Sequence, residues 1–447
     1  MAWFIAKQGQ PSSKQDLAFA LLPLTDGAKI GRVSVCPSLP SNNVLTPQQT
    51  WHSIVAHVMA LPAQRQALAD AFGQVLAEPV VVDRDLPPAD RSAMDGFAVR
   101  AADLAKPPVV LSVVGEVAAG SASEPPIAAG TCARIFTGAN VPPGADTVVK
   151  VEDTLAHGTD QVTFTTAERM GANILRKGEN ARQGSVLVPA GVVLGAAHLA
   201  GCAAAGYAEV RVLRKPRVAV ITTGRELLDP SAKPSPYQER DSNQILIAAS
   251  LSAAGFSVAR AERVSDERAA VVESLRAALA SADAVVLSGG VSVGAYDFVP
   301  AAVGDVGART LVHGVSIKPG KPFLFALAPE GRPIFGLPGN PLSAMVGLHE
   351  FVLPALRRMS GVDEAACRPL VRARLRETVQ GKPGRQRHVL ATLTWTAQGA
   401  EVSVVPSQSS ADVVAATRAD GYIVAPADAR TLDAGMVVDF RPWRMWA

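Results

Sequence analysis

Aromatic residues make up only 5% of this 447-residue chain, while Ala, Val, Gly and Pro abound. That balance leans toward α/β and β architecture with many turns. Cysteine is scarce: Cys36, Cys132, Cys202 and Cys367 stand far apart and form no CxxC pair. Their spacing argues against a structural zinc site and a disulfide framework, and fits a reducing cytoplasm. Net charge is only +3, which gives no case for a nucleic-acid surface. No apolar run reaches the roughly 18 residues of a membrane span. The patch Leu17 to Leu24 is short and follows Asp16 rather than a basic segment, unlike a secretory signal. GxxxxGK[ST], GxGxxG and HExxH are all missing. The seven histidines are scattered, and His349 reads as core or surface rather than ligand. The expectation is a soluble cytoplasmic protein with neither membrane nor nucleic-acid partner.

What is present divides into segments. The length exceeds one core and suggests three or four domains of about 100–200 residues. Residues 1–44 show no sustained period and read as an extension, disordered or loosely packed. Trp51, Ile54, Val55, Val58 and Met59 fall at helical spacing before Pro62, and Ala67 to Leu76 can form a second helix. Asp83 to Arg100 holds two prolines, three arginines and four aspartates; too irregular for a helix, it reads as a functional loop. β-rich runs make 85–187 a mainly β domain, flanked by a small mixed domain from 45–84 and 188–213. From Arg217 strands alternate with helices, which predicts a parallel sheet in a doubly wound α/β domain over 214–360. β runs return over 365–447 as a small barrel or sandwich.

The most informative stretch is DAVVLSGGVSVGAYD, Asp283 to Asp297. An apolar run breaks into Ser288, Gly289 and Gly290, the pattern of a buried strand ending in a loop. Adjacent glycines let a backbone approach a ligand, and the hydroxyls of Ser288 and Ser292 with free amides suit an anion; a tight turn explains the glycine pair as well. Asp297 adds a carboxylate that a phosphate would repel unless a cation sat between them. In a doubly wound sheet two further strand-end loops converge there. One holds Thr223, Gly224, Arg225 and Glu226; the other runs from Leu337 through Pro338, Asn340 and Pro341 to Ser343. Glu226, Asp266 and Asp297 would then form an oxygen-rich edge suited to Mg²⁺, although Glu226 alone also serves as a charge at a helix start. IKPGKP, 317–322, holds Lys318 and Lys321 around a Pro-Gly turn, either an oxyanion clamp or a solvated hairpin tip.

Six stretches in order, SAMDGFAVR (92–100), IFTGANVPPGADTVVKVED (135–153), RKGEN (176–180), SGGVSVGAYD (288–297), KPGKP (318–322) and GLPGNPLSA (336–344), together resemble the molybdopterin molybdotransferases and the related E domain of gephyrin. The resemblance implies insertion of molybdate into adenylylated molybdopterin with Mg²⁺ and release of AMP, by a homodimer of four-domain subunits. It makes 85–187 a lid, 45–84 with 188–213 a linker and dimerisation domain, and 365–447 a C-terminal β-barrel. An upstream molybdopterin-adenylylating enzyme is the implied partner, with downstream cofactor carriers or molybdoenzymes. By motif, Asp95 and Thr137 belong to the lid facing the other subunit's site. Glu226, Asp266 and Asp297 are its acidic residues, with Asp266 and Asp297 as Mg²⁺ ligands. Thr223, Gly224, Ser288, Gly289, Gly290, Ser292, Pro338, Asn340 and Pro341 line the cofactor site. Lys318, Lys321, Pro322 and Ser343, joined by Arg387 and Ser410 from the last domain, match the molybdate positions. Asn180, Arg225 and Gly314 depart from residues common in the family. A scaffold protein is the rival reading, against which Asp297, Lys318 and Lys321 argue for chemistry.

Overall fold

The computed structural model describes residues 44–122, 124–157, 159–292 and 297–443; the extension expected over 1–44 lies, up to Asn43, outside them. Helix α1 (Pro47–Val55) starts at a capping box. Thr46 Oγ1 accepts from the Gln49 amide at 3.2 Å, and Gln49 Oε1 accepts from the Thr46 amide at 2.9 Å. Pro47 fits the first turn, where its missing N–H costs nothing. Trp51, Ile54 and Val58 are buried as their spacing predicts, whereas Met59, past the helix end, is 81% exposed. The helix expected over Ala67 to Leu76 does not form. Ala63–Ala67 pairs antiparallel with Glu209–Leu213, and a single 3₁₀ turn, Leu68–Asp70, follows. Pairing with a strand distant in sequence overrides the local preference. This ribbon and helix α2 (Ala196–Ala204) enclose a core that includes Leu76, Val80, Leu194, Cys202 and Val212.

Between them stands a six-stranded sheet of β1 (Gly96–Val99), β2 (Val109–Val117), β3 (Thr131–Ile135), β4 (Thr147–Lys150), β5 (Thr154–His157) and β6 (Gln161–Phe164), in the order β4-β1-β3-β2-β6-β5. The tract 83–100, expected as a loop, thus contributes an inner strand: Gly96 to Val99 are all buried between β3 and β4. Its prolines and charges cluster ahead of those four residues and mask them.

The α/β region contains β7 (Arg217–Thr223), α3 (Ser242–Ala253), β8 (Ser257–Val264), α4 (Arg268–Ser281), β9 (Ala284–Ser288), α5 (Val299–Asp305), β10 (Arg309–His313), β11 (Ile317–Lys318), β12 (Leu324–Leu327) and β13 (Pro333–Leu337). Its sheet runs β8-β7-β9-β13-β12-β10. β8, β7, β9 and β13 are parallel, but β12 is antiparallel to both neighbours, so the sheet is mixed where a parallel one was expected. No helix separates β12 from β13, and a short reversal replaces the crossover. Alternate residues of the central strands feed two cores. Val218, Val220 and Val286 pack with Trp51, Ile247 and Phe351; Ala219, Ile221, Val285 and Leu287 pack with Val271, Leu275 and Val303. Burial on both faces is why these strands read as unbroken apolar runs. The single helix expected over 342–359 is α6 (Pro341–Gly347), a π turn (Leu348–Val352) and α7 (Leu353–Met359). Pro354 has no N–H to close an ordinary helical bond, which favours the wider turn before it.

The last strands, β14 (Val371–Leu375), β15 (Gln386–Thr396), β16 (Gly399–Val404), β17 (Gly421–Ala425) and β18 (Val437–Pro442), close into a five-stranded barrel in the order β15-β16-β14-β18-β17 and back to β15. β11 adds to β15 in parallel, so part of the segment read as a turn belongs to the barrel sheet. Beneath this junction Glu350, fully buried, accepts from Arg441 Nε at 2.7 Å, Arg368 Nη2 at 2.5 Å and the Tyr422 hydroxyl at 2.9 Å. Among the described residues no helix is long and apolar enough to cross a membrane.

Candidate active-site cleft

β7, β9 and β13 are adjacent and parallel, so their C-terminal loops open at one edge of the sheet. The loops touch. Gly289, at φ +101°, lies so close to the first loop that a Cβ there would stand 2.0 Å from the Thr223 carbonyl oxygen. Its amide donates to the Leu337 carbonyl at 3.2 Å, and Ser288 Oγ donates to the Pro338 carbonyl at 3.2 Å. Only glycine permits this approach. Thr223 and Ser288 are buried, Ser292 is exposed, and Val293 to Tyr296 lie outside the described residues.

The acidic residues gather at this edge. Thr223 Oγ1 donates to Asp266 Oδ1 at 3.2 Å, and a Cβ on Gly290 would lie 3.6 Å from the same oxygen. Burial raises the Asp266 carboxyl above the ordinary aspartate value; the Thr223 bond opposes that, the charges of Glu226 and Asp297 push it further up, and Arg225 pulls it down. Glu226 thus shares a field with the two aspartates. It lies in a turn ahead of Leu227–Leu228, where no helix begins, which removes its reading as a helix-start charge. Among the described residues no three His, Cys, Asp or Glu side chains are close enough to hold a metal by themselves.

The basic residues lie on the next turn. Lys318 and Lys321 are exposed, with Pro322 half-buried beside them. A Cβ on Gly320 between them would stand 3.4 Å from the Ser343 carbonyl oxygen, so the lysine turn rests on the first turn of α6, where Ser343 is buried. The barrel supplies Ser410: its Oγ accepts from Asn340 Nδ2 at 2.9 Å and its carbonyl accepts from the Leu342 amide at 3.1 Å. Arg387 is in register with Lys318 but turns inward. It is 8% exposed and donates from Nη1 to the Gln380 carbonyl at 3.1 Å and from Nη2 to that of Ala429 at 3.0 Å. Any Cβ at Gly381 would sit 1.7 Å from Nη1. Arg385, which the sequence reading passed over, is exposed and donates from Nη1 to the Ile317 carbonyl at 3.3 Å. Asp95 and Thr137 form a separate pair on the β-rich region: Asp95 Oδ1 accepts from the Thr137 amide at 2.8 Å and its hydroxyl at 2.7 Å, which holds the Asp95 carboxyl below its ordinary value.

Two residues the sequence reading missed, Asp241 and Asn243 in the first turn of α3, are buried beneath the three loops and bonded to them. The available signal was an Asp one residue ahead of an apolar helical run, the pattern of an N-cap.

Glycine-bearing loops at the carboxyl ends of adjacent parallel strands, with carboxylates and lysines near them, define an α/β protein of the doubly wound class. Three family descriptions match in order: the MoeA N-terminal region, domains I and II, over 45–206; a probable molybdopterin-binding domain over 219–358; and the MoeA C-terminal region, domain IV, over 372–443. The molybdopterin molybdenumtransferase of Staphylococcus aureus strain Mu50 is 34% identical over 403 residues, covering 89% of this chain and 95% of its own. That of Nostoc is 37% identical over 329 residues, covering 72% and 75%. Two solved structures of the Pyrococcus horikoshii molybdopterin biosynthesis MoeA protein match with TM-scores of 0.74 and 0.76 at 28% and 25% identity, over 90% of this chain and 100% of theirs. The chain belongs to the MoeA family of molybdopterin molybdenumtransferases.

Proposed function

We propose that the protein inserts molybdate into adenylylated molybdopterin, releasing AMP, and so completes molybdenum cofactor synthesis. The contact between Gly320 and Ser343 carries this reading. It sets a two-lysine turn against the loop that closes the glycine cradle, so that a phosphate ligand and a second anion fit side by side. Thr223, Ser288, Gly289 and Gly290 shape the wall against which the pterin nucleotide lies. Lys318 and Lys321 compensate the molybdate dianion, with hydroxyls from Ser343 and Ser410. We assign the guanidinium of that pocket to Arg385 rather than Arg387, because Arg385 is exposed whereas Arg387 is buried with its guanidinium turned onto the carbonyls of Gln380 and Ala429.

The carboxylates fit Mg²⁺. Asp266 and Asp297 offer hard oxygen ligands, and a divalent cation would offset the burial and the neighbouring carboxylate charges that raise Asp266. When bound, the ion would offset phosphate charge as water cleaves the adenylyl phosphoanhydride. Glu226 adds to that field, while the loops exclude wrong orientations. Asp95 and Thr137 complete the site of a second copy in a homodimer. In this assignment 45–84 with 188–213 form the dimerisation domain, 85–187 the lid, 214–360 the ligand domain and 365–447 the barrel. The setting is cytoplasmic, downstream of a molybdopterin-adenylylating enzyme and upstream of cofactor carriers or molybdoenzymes.

Purified protein given adenylylated molybdopterin, molybdate and Mg²⁺ should release AMP and yield cofactor that reconstitutes an apo-molybdoenzyme. Asp297→Asn should suppress release with an unchanged circular dichroism spectrum. A wild type that binds the pterin nucleotide and never releases AMP would be a scaffold instead.

A further inference from the structure

The first turn of α3 holds two almost inaccessible polar side chains: Asp241 is 3% exposed and Asn243 7%. Asp241 caps the helix by accepting from the Gln244 amide at 3.0 Å, and its other oxygen accepts from the Thr222 hydroxyl at the end of β7. Asn243 reaches the other two loops. Its Nδ2 donates to Ser288 Oγ at 2.9 Å and to the Gly339 carbonyl at 2.6 Å. A carbonyl can only accept, so the amide nitrogen must face Gly339 and the orientation of the group is fixed. Asn243 Oδ1 is consequently buried without a hydrogen-bond partner. A side chain serving stability alone would not strand a buried acceptor.

We propose that Asn243 is a positioning residue for the pterin nucleotide: its amide sets the separation between the Ser288–Gly290 and Pro338–Asn340 loops, and with it the width of the phosphate cradle. This rests on the function proposed above. Asn243 touches no reacting atom; it acts through the hydroxyl and the carbonyl that it spaces. Asp241 does the same for the first loop through Thr222, so one helical turn ties all three strand ends.

Asn243→Asp keeps the shape and removes both donors, while Asn243→Ala removes the side chain. AMP release is measured with adenylylated molybdopterin and molybdate varied in turn. The KM for the pterin nucleotide should rise about tenfold, the effect expected for losing one or two hydrogen bonds' worth of positioning. With kcat within about twofold and the KM for molybdate unchanged, the change is one of positioning and not of chemistry. Calorimetric titration with AMP alone should show a comparable loss of affinity. An unchanged pterin-nucleotide KM overturns the proposal, and so does a parallel rise of both KM values, which a loosened fold would give. If Asn243→Ala does not fold, Asn243→Asp decides; if neither folds, Asn243 is a folding residue and the proposal fails. A wild type that releases no AMP counts against the proposed function alone, because the AMP titration still reads Asn243.

Discussion

Lys318 and Arg387 are register partners across parallel strands β11 and β15, yet the lysine is exposed and the arginine guanidinium lies on the carbonyls of Gln380 and Ala429. Two cations opposite each other on neighbouring strands would repel if both faced one surface. Here the charges separate, one to the exposed surface and one into the barrel.

Arg387→Met should therefore cost stability, about 1–3 kcal/mol, since it removes two charge-assisted hydrogen bonds made by a buried guanidinium. Arg385→Ala should leave stability within about 0.5 kcal/mol but raise the KM for molybdate about tenfold, the loss of one charge-assisted contact. Denaturant melts and steady-state kinetics on both variants check the division. The opposite pattern would restore Arg387 to the pocket.

Glu350 makes a second case. Burial by itself would raise its carboxyl, but Arg441, His388 and Arg368 hold it well below the ordinary glutamate value. Removing the acid leaves buried cations uncompensated, so Glu350→Gln should destabilise by about 3–5 kcal/mol. Since the folded value is the lower one, this contribution is complete above the unfolded value near about 4.3 and is lost as pH falls through the folded value. Urea melts should show a constant gap between wild type and variant from about pH 8 to about pH 5. A gap that closes within that window would mean the acid is not held ionised.

Asp266 has the opposite sign. Its carboxyl is raised, so the ionised form opposes folding at neutral pH, and that penalty is relieved as pH drops through the raised value. Asp266→Asn should melt higher than wild type in metal-free buffer at neutral pH while losing AMP release. Mg²⁺ should raise the wild-type Tm and leave the variant's unmoved. A variant that melts lower would mean the carboxylate is structurally satisfied.

The legible parts of the fold share a cause. β7 and β9 are buried on both faces and announce themselves as apolar runs, and glycines at their ends mark the cleft. The acids were read from the rule that ligands sit at carboxyl strand ends, and the lysines from the Pro-Gly turn that holds them. The illegible parts depended on distant partners: Ala63–Ala67 on Glu209–Leu213, and β11 on a barrel strand. Arg385 and Arg387 could not be sorted by alternation, because β15 begins at Gln386, between them. Asn243 was overlooked because its worth lies in two bonds to other loops.

β11 carries a consequence for how this architecture could be taken apart. The family matches treat 219–358 and 372–443 as separate units, yet Ile317 and Lys318, inside the first, bond to a strand of the second. A chain cut after Met359 would keep the lysine turn and lose the strand that holds it. Ile317, now fully buried, would sit at an open edge able to recruit a neighbour. The α/β unit is thus expected to self-associate when expressed alone and to recover on addition of the barrel fragment. As a unit of recombination, the α/β region is not self-contained: the strand that carries its lysine turn is held by its neighbour.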